Sequence, residues 1–325
     1  MGERLREYAD TVETVIPDAV VESSQEAIRW ASRAAAVRFP GMIRNVDVWQ
    51  WVLLPTVIVL GLIFGLPLAA LISVSFHESM GPATASEDFT LGNYAAFVED
   101  PFYFGVMAET LRLGLIVVVC CLVIAYPIAY FLARTQSRWR GTALFLVVAP
   151  LLTSAVVRNL GWFPILSDNG LVNWLLMSLG LVAAPLRFIN NFTGVVIGLV
   201  HALLPIMILT LVAVIQRIEL DLEEAAANLG AGPLVVFWRV LLPLSLPGVV
   251  AGSLLVFSMA VSAYTTPAIL GGNRVLVMAT YIAQQFRAVL DYPAGGTAAA
   301  ILLLFTVLLT ILALRVRTEE GEARW

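Results

Sequence analysis

The 325-residue sequence contains no lysine; all nineteen basic residues are arginine. A phosphate-binding loop of the form G-x-x-x-x-G-K-[ST] therefore cannot be built, because its lysine is the group that reaches the terminal phosphates. Charge of either sign is scarce. Charged residues make up 13% of the chain, about half of the roughly 25% found in soluble domains, too few to clothe the surface of a soluble enzyme of this size. Cysteine is nearly absent as well. Cys120 and Cys121 are adjacent within an apolar run, which argues against a disulfide framework or a thiolate metal cluster. The two histidines, His77 and His201, lie far apart, so the converging acids, histidines or metal ligands of a membrane-embedded enzyme are missing.

What the sequence has in abundance is apolar length: 60% of its residues are hydrophobic. A helix needs about 20 apolar residues to cross roughly 30 Å of hydrocarbon. Six segments meet or nearly meet that need: Trp51–Phe76, Leu113–Ala133, Ala143–Val157, Phe192–Ile215, Gly248–Leu270 and Ala298–Leu314. The third is short but extends through Gly141 and Thr142. Trp49 and Trp51 stand where an interfacial aromatic anchor is expected. The first run begins some fifty residues into the chain and has no small-residue cleavage site after it, unlike a secretory signal. These runs predict an all-α polytopic membrane protein with six transmembrane helices.

Arginine position then sets an expected orientation. With the N-terminus inside, fourteen arginines fall on the inner side and five (Arg112, Arg158, Arg187, Arg274, Arg287) on the outer side. The inner set includes the cluster Arg134, Arg138 and Arg140. This bias places both termini in the cytoplasm. The segments His77–Val106, Arg158–Asn191 and Asn273–Pro293 become outer loops. Within the second, Leu171–Val182 is apolar but too short to span, and it follows Asp168-Asn169-Gly170, a helix-capping sequence. A partly embedded or surface-lying helix is expected there. Residues 1–48 form an N-terminal extension in which Ser23-x-x-Glu26 precedes a face of Ile28, Ala31, Ala35 and Phe39, the pattern of an interfacial amphipathic helix. Residues 49–316 form the membrane domain and 317–325 a tail.

One interruption between spans is unusual. It runs Glu219-Leu-Asp-Leu-Glu-Glu-Ala-Ala-Ala-Asn-Leu-Gly230-Ala-Gly-Pro233 and continues to Arg239-Val240-Leu-Leu242-Pro243. Asp221 with Glu224 makes a capping pair, and Ala225, Ala226 and Ala227 are strong helix formers. Gly230 stands where a left-handed helix-ending residue is wanted, and Pro233 at the first position of a new helix. Pro243 and Pro247 are expected to end that second helix. The region 217–247 therefore predicts a compact helix-turn-helix outside the membrane, with small side chains that allow close approach of a partner.

The pattern Glu224-Ala225-Ala226, Gly230, then Val240-x-Leu242-Pro243 resembles the EAA signature of permease subunits in ATP-binding-cassette importers, with valine where the family usually has isoleucine. Further matches are similar to the spermidine/putrescine-type branch. They are Phe89-Thr90-Leu91-x-Asn93-Tyr94, Tyr126-Pro127-x-Ala129-Tyr130-x-Leu132-Ala133-Arg134, Arg158-x-x-Gly161-Trp162 and Asp168-Asn169-Gly170-x-x-Asn173. Together they cover roughly residues 50–315. The resemblance implies a type I importer permease fold in a bacterial inner membrane, with a cytoplasmic coupling helix between spans four and five. Glu224, Ala225, Ala226, Gly230, Val240, Leu242 and Pro243 would then couple the chain to a cytoplasmic ATPase dimer. It further implies a second permease subunit, most often a different related chain, and an extracytoplasmic substrate-binding protein that delivers a small solute, with a polyamine the leading candidate and iron(III) or phosphonate as alternatives. No cofactor is expected on this chain, ATP and magnesium belonging to the partner ATPase, and nucleic acid is not an expected partner.

Other residues carry weaker signals. His201 falls midway along span four, with Pro205 one turn on, and either faces a pathway or packs through a hydrogen bond. Tyr264-Thr265-Thr266-Pro267 interrupts span five, and Ser258, Ser262 and Thr266 recur at four-residue spacing, a helix-packing pattern; Tyr264 could instead contact amines. Trp162 and Trp174 read as interface anchors, with Trp162 and Asp168 also candidates for the substrate pathway. Glu109, Asp168 and Asp291 are outer acids able to receive a cation, but interfacial charges that snorkel, pair at the surface or cap helices are the favoured reading, Glu109 with Arg112 first. An ion-coupled secondary transporter is the competing class. It predicts paired ionisable groups within spans and repeated halves, and neither occurs in the sequence.

Overall fold

In the computed structural model, residues 46–322 are described, and the chain divides into two units, Met1–Pro67 and Leu68–Trp325. The amphipathic pattern at Ser23–Phe39 lies outside the described residues. Helix α1 (Val46–Ser75) crosses the division and holds Pro55 and Pro67 in its interior. Interior prolines are a membrane-helix habit, and α1 matches the first expected span.

The loop after α1, expected as an outer loop, is more ordered than its sequence indicated. Strands β1 (His77–Gly81) and β2 (Thr84–Phe89) pair antiparallel, and the short helix α2 (Gly92–Glu99) follows. Tyr94 of α2 shares a 2.6 Å hydrogen bond with Ser75 at the end of α1, and the Asn93 side chain donates to the Ser75 and His77 carbonyls. Local patterning could not reveal the hairpin, because most of its residues are exposed and it has no alternating apolar face.

Helix α3 (Pro101–Arg134) starts twelve residues before the apolar run. The Asp100 carboxylate accepts from Phe102 N at 2.8 Å, and Pro101 needs no donor at the first position. At 34 residues and 1.5 Å per residue it is about 51 Å long, longer than the hydrocarbon it must cross. The expected third span is broken. Helix α4 (Arg140–Val148) tightens into a 3₁₀ turn at Ala149–Leu152, and α5 (Ala155–Leu166) and α6 (Leu171–Ser178) follow. The two halves meet at 100° across Thr153-Ser154, inside the predicted Ala143–Val157. Pro150 sits in the tightened turn, Thr153 is extended and Ser154 has a non-helical ψ of 138°, so the backbone ladder ends there. Five described helices are long and apolar enough to span, or six if the bent pair counts as one span.

Helix α7 (Phe192–Ile215) has the boundaries its sequence predicts. Beyond it stand α8 (Leu220–Asn228) and α9 (Pro233–Val236), the latter running through a π-helical turn at Phe237–Leu241 into α10 (Leu242–Val261). The second motif helix is thus the start of span five, and neither Pro243 nor Pro247 ends it. The extra residue of the π turn shifts the carbonyl ladder just ahead of Pro243, which lets the helix pass a residue that lacks a donor. Span five closes at Val261, nine residues early, and a second π-helical turn at Pro267–Gly271 begins beyond the break. Helix α11 (Met278–Gln284) leads to α12 (Tyr292–Glu322), whose apolar part is Tyr292–Ile311.

The core lies between α3, α7 and α10. Leu113, Val117, Cys121, Ala125, Ala129 and Leu132 of α3 are buried against Val195, Leu199, Met207 and Leu211 of α7. The opposite stripe of α3 (Leu115, Val119, Val123) is 58–68% exposed, the face a bilayer covers. Helices α3 and α7 run in the same direction, since Cys121 lies at Val200 and Arg134 at Ile218. Helix α10 runs against them: a Cβ on Gly114 would meet the Phe257 ring at 2.8 Å and Val261 at 2.9 Å, and Tyr126 shares a hydrogen bond with Ser245. Only glycine permits that approach at position 114, as at small-residue crossings of membrane helices.

Candidate functional site

The motif loop lies where α3 and α7 end and α10 begins. Helix α8 opens at Glu219, whose side chain makes no capping hydrogen bond. Asp221 lies inside the first turn, so the expected Asp221–Glu224 capping pair does not form. Instead Asp221 and Glu223 put negative charge at the positive end of the helix dipole. The end of α8 follows the sequence closely. Gly230 has φ +87°, its N–H donates to Ala227 O at 2.9 Å, and Ala231 N donates to Ala226 O at 3.1 Å. This is the Schellman arrangement, which needs a left-handed residue at that position.

Two adjacent glutamates differ in burial. Glu224 is exposed and so are Ala225 and Gly230, while Ala226, Val240, Leu242 and Pro243 are half-buried. Around the outward group lie exposed apolar side chains: Leu229 is 89% exposed, Leu234 73% and Trp238 63%. Glu223 turns the other way. It is buried and ion-pairs through Oε1 with Arg134 Nη2, while Tyr130 Oη donates to Glu223 Oε2 at 2.8 Å. Arg134 Nη1 also donates to the Ile218 carbonyl at 2.9 Å. Beside this cluster an apolar cavity of about 960 Å³ opens between α3 and the motif, lined by Leu122, Tyr126, Tyr130, Leu234 and Phe237 among others. Sequence reasoning missed Glu223, because two neighbouring glutamates are equivalent until the helix phase against α3 is known. The signal available was Arg134 at the end of a span, a cation placed where a carboxylate could meet it.

The pathway candidates separate. Trp162 Nε1 donates to His201 Nδ1 at 3.1 Å, and the two rings meet edge-on at 5.3 Å. His201 therefore ties α7 to the far limb of the broken span, the packing role its position allowed. Tyr264 is elsewhere, with the Arg287 guanidinium over its ring at 5.4 Å. Asp168 is exposed on an open cavity of about 480 Å³ shared with Arg187, Asn190 and Arg274. A neighbouring cavity of about 300 Å³ holds Glu109 and the same two arginines. Glu109 pairs with Arg112 at 3.3 Å, and the Asp291 carboxylate accepts from Ala294 N at 3.0 Å, so both serve the prosaic roles of ion pair and helix cap. A buried pair that sequence reading did not single out joins the same region: Asn159 Nδ2 donates to Thr266 Oγ1 at 3.0 Å. Of the expected hydroxyl series, Thr266 takes this bond and Ser262 returns to the Ser258 carbonyl at 2.8 Å. Among the described residues, no cluster of three histidine, cysteine or acidic side chains could hold a metal.

Residues 122–318 match the family described as binding-protein-dependent transport system inner membrane component. The spermidine/putrescine transport system permease protein PotB of Salmonella typhimurium is 36% identical over 255 residues, covering 78% of this chain and 88% of the relative. The Escherichia coli K12 protein of the same name is 36% identical over 231 residues, covering 71% and 84%. The molybdenum transport system permease protein ModB of Mycobacterium bovis is 30% identical over 203 residues, covering 62% and 75%. In fold the chain is similar to a bacterial ABC transporter involved in the import of the acidic polysaccharide alginate, with a TM-score of 0.69 at 17% identity, covering 84% of this chain and 96% of that one. The chain is a multi-pass membrane protein, a transport component rather than an enzyme, and it belongs to the binding-protein-dependent transport system inner membrane component family.

Proposed function

We propose that this chain is one permease subunit of an ATP-driven importer and forms half of the pathway for a small solute, a polyamine first. Its partners in this reading are a second, related permease, an ATPase dimer and an extracytoplasmic binding protein. The observation that carries it is the split of the motif. Glu224, Ala225 and Gly230 are presented outward beside exposed apolar side chains, while Glu223 is anchored inward to Arg134. A surface so built serves to receive another protein's groove. The arginine bias puts this loop, and both termini, on the cytoplasmic side, where ATP is available. The lysine-free sequence has no phosphate loop of its own, so ATP and magnesium belong to the partner. The boundaries that go with this reading are an N-terminal extension at 1–48, a permease domain at 49–316 with coupling loop 217–247, and a tail from 317.

The test is reconstitution. Both permeases, the ATPase and the binding protein in proteoliposomes should import labelled spermidine or putrescine only with internal ATP. Full ATP-driven uptake by this chain without the ATPase would overturn the assignment.

A second reading keeps the class and changes the cargo. Arg187 and Arg274 line both outer cavities, a setting that suits an anionic solute, and a permease named for molybdenum transport is 30% identical. Calorimetric titration of the binding protein with spermidine and with molybdate separates the two.

A further inference from the structure

The motif assigns a coupling role to Glu224; nothing in it explains why Glu223 is buried. Among the described residues, the side-chain hydrogen bonds that leave α8 are those of Glu223, and both reach α3, at Tyr130 and Arg134. The same guanidinium holds the Ile218 carbonyl in the turn after α7. One arginine therefore fastens three elements together: the end of span two, the end of span four and the motif helix. Both partners are shielded, with side-chain exposures of 13% for Arg134 and 10% for Glu223. A carboxylate so placed is stable only while its cation and hydroxyl donors stay with it, and the planar fork of arginine grips two acceptors at once.

We infer that Arg134, Glu223 and Tyr130 form a latch through which a push on the exposed face of α8 is delivered to span two. The three are positioning residues in this scheme. Glu224 and its neighbours receive the partner; the latch makes α8 and the end of α3 move as one body. Without it α8 swings on the turn after Ile218 and on Gly230, and the force is lost before it reaches the membrane. This inference rests on the coupling-loop reading proposed above.

Two measurements test it on the complete transporter. The first is solute moved per ATP hydrolysed in proteoliposomes, read against the wild-type complex, whose own ATP-driven uptake checks the importer reading separately. Glu223→Gln and Arg134→Gln should each lower that ratio about tenfold, within the usual range for coupling between sites, while ATP hydrolysis continues. The double variant should be no worse than either single one, as for two residues acting through each other. Tyr130→Phe, which removes one donor and little volume, should give the same defect in milder form. A wild-type ratio in all four variants overturns the latch, as does a fall in assembled complex with the ratio unchanged. The second measurement needs no transported solute. With Cys120 and Cys121 replaced by alanine, spin labels at Thr135→Cys and Asn228→Cys should keep one separation with and without ATP, and Glu223→Gln should broaden it. An ATP-dependent change in separation while the pair is intact overturns the proposal.

Discussion

At position 230 the backbone itself dictates the residue. With φ at +87°, any L side chain there is held in the left-handed region at a cost of about 1–2 kcal/mol, even though a Cβ would meet nothing within 4 Å. Gly230→Val should therefore leave the membrane core intact and distort the α8–α9 turn. The expected result is normal insertion with solute moved per ATP reduced several-fold, measured in proteoliposomes. Glu224→Lys should give the same uncoupling by a different route, since it reverses a charge on the outward face and breaks no contact within α8. Wild-type transport by either variant would refute the coupling role of the loop. Gly114 is a contrasting case. There a side chain collides with Phe257 at 2.8 Å, so Gly114→Leu should destabilise the α3–α10 crossing by about 1–3 kcal/mol, seen as a lower melting temperature of the purified chain in detergent.

At the scale of elements, hydrogen bonds restrain the places where helices break. The broken third span is tied back to α7 by Trp162–His201 and to the segment after α10 by Asn159–Thr266. Each bond crosses from one irregular element to a neighbour, where an unpaired polar group in an apolar setting would be costly. Asn159 and Thr266 should therefore behave as a unit. Asn159→Leu and Thr266→Val, each leaving one partner unsatisfied, should each cost about 1–3 kcal/mol, and the double variant less than their sum. Thermal unfolding of the four species closes that cycle; strict additivity would show that the two side chains do not interact. Little of this was legible beforehand. The apolar run Ala143–Val157 predicted one straight span, because hydropathy counts composition and carries no record of backbone direction. Pro150 was visible, but prolines also sit inside the unbroken α1 and α10, so a proline alone does not locate a break. Pro243 shows the converse, read as a stop and passed by a π-helical turn.

For the whole molecule, orientation is the property that everything else depends on. With the N-terminus inside, fourteen arginines lie on the inner side against five on the outer, and the proposed orientation built on that bias puts the EAA loop inside. Reporter fusions should accordingly be active as cytoplasmic markers after Gly230 and near the C-terminus, and as extracytoplasmic markers in the β1–β2 turn and after Gly180. The opposite pattern would put the coupling surface on the wrong side of the membrane for ATP and remove the basis of the proposed mechanism.

The sequence by itself determined that the chain crosses a membrane, roughly where it crosses, and which interruption carries the EAA motif. Those properties are sums over neighbouring residues: transfer free energy over about twenty positions, and cap, helix and turn chemistry over a dozen. Phe192–Ile215 and the Gly230 turn emerge in the structure as read, because nothing distant competes for them. The tertiary structure alone decided which of two adjacent glutamates is exposed and which is locked to Arg134, where the third span bends, and that His201 belongs to Trp162. Each depends on the phase and approach of elements far apart in the chain, Glu223 and Arg134 being 89 residues apart. Local patterning holds no information about contacts at that separation, and it is through such contacts that a push on the loop would reach the membrane.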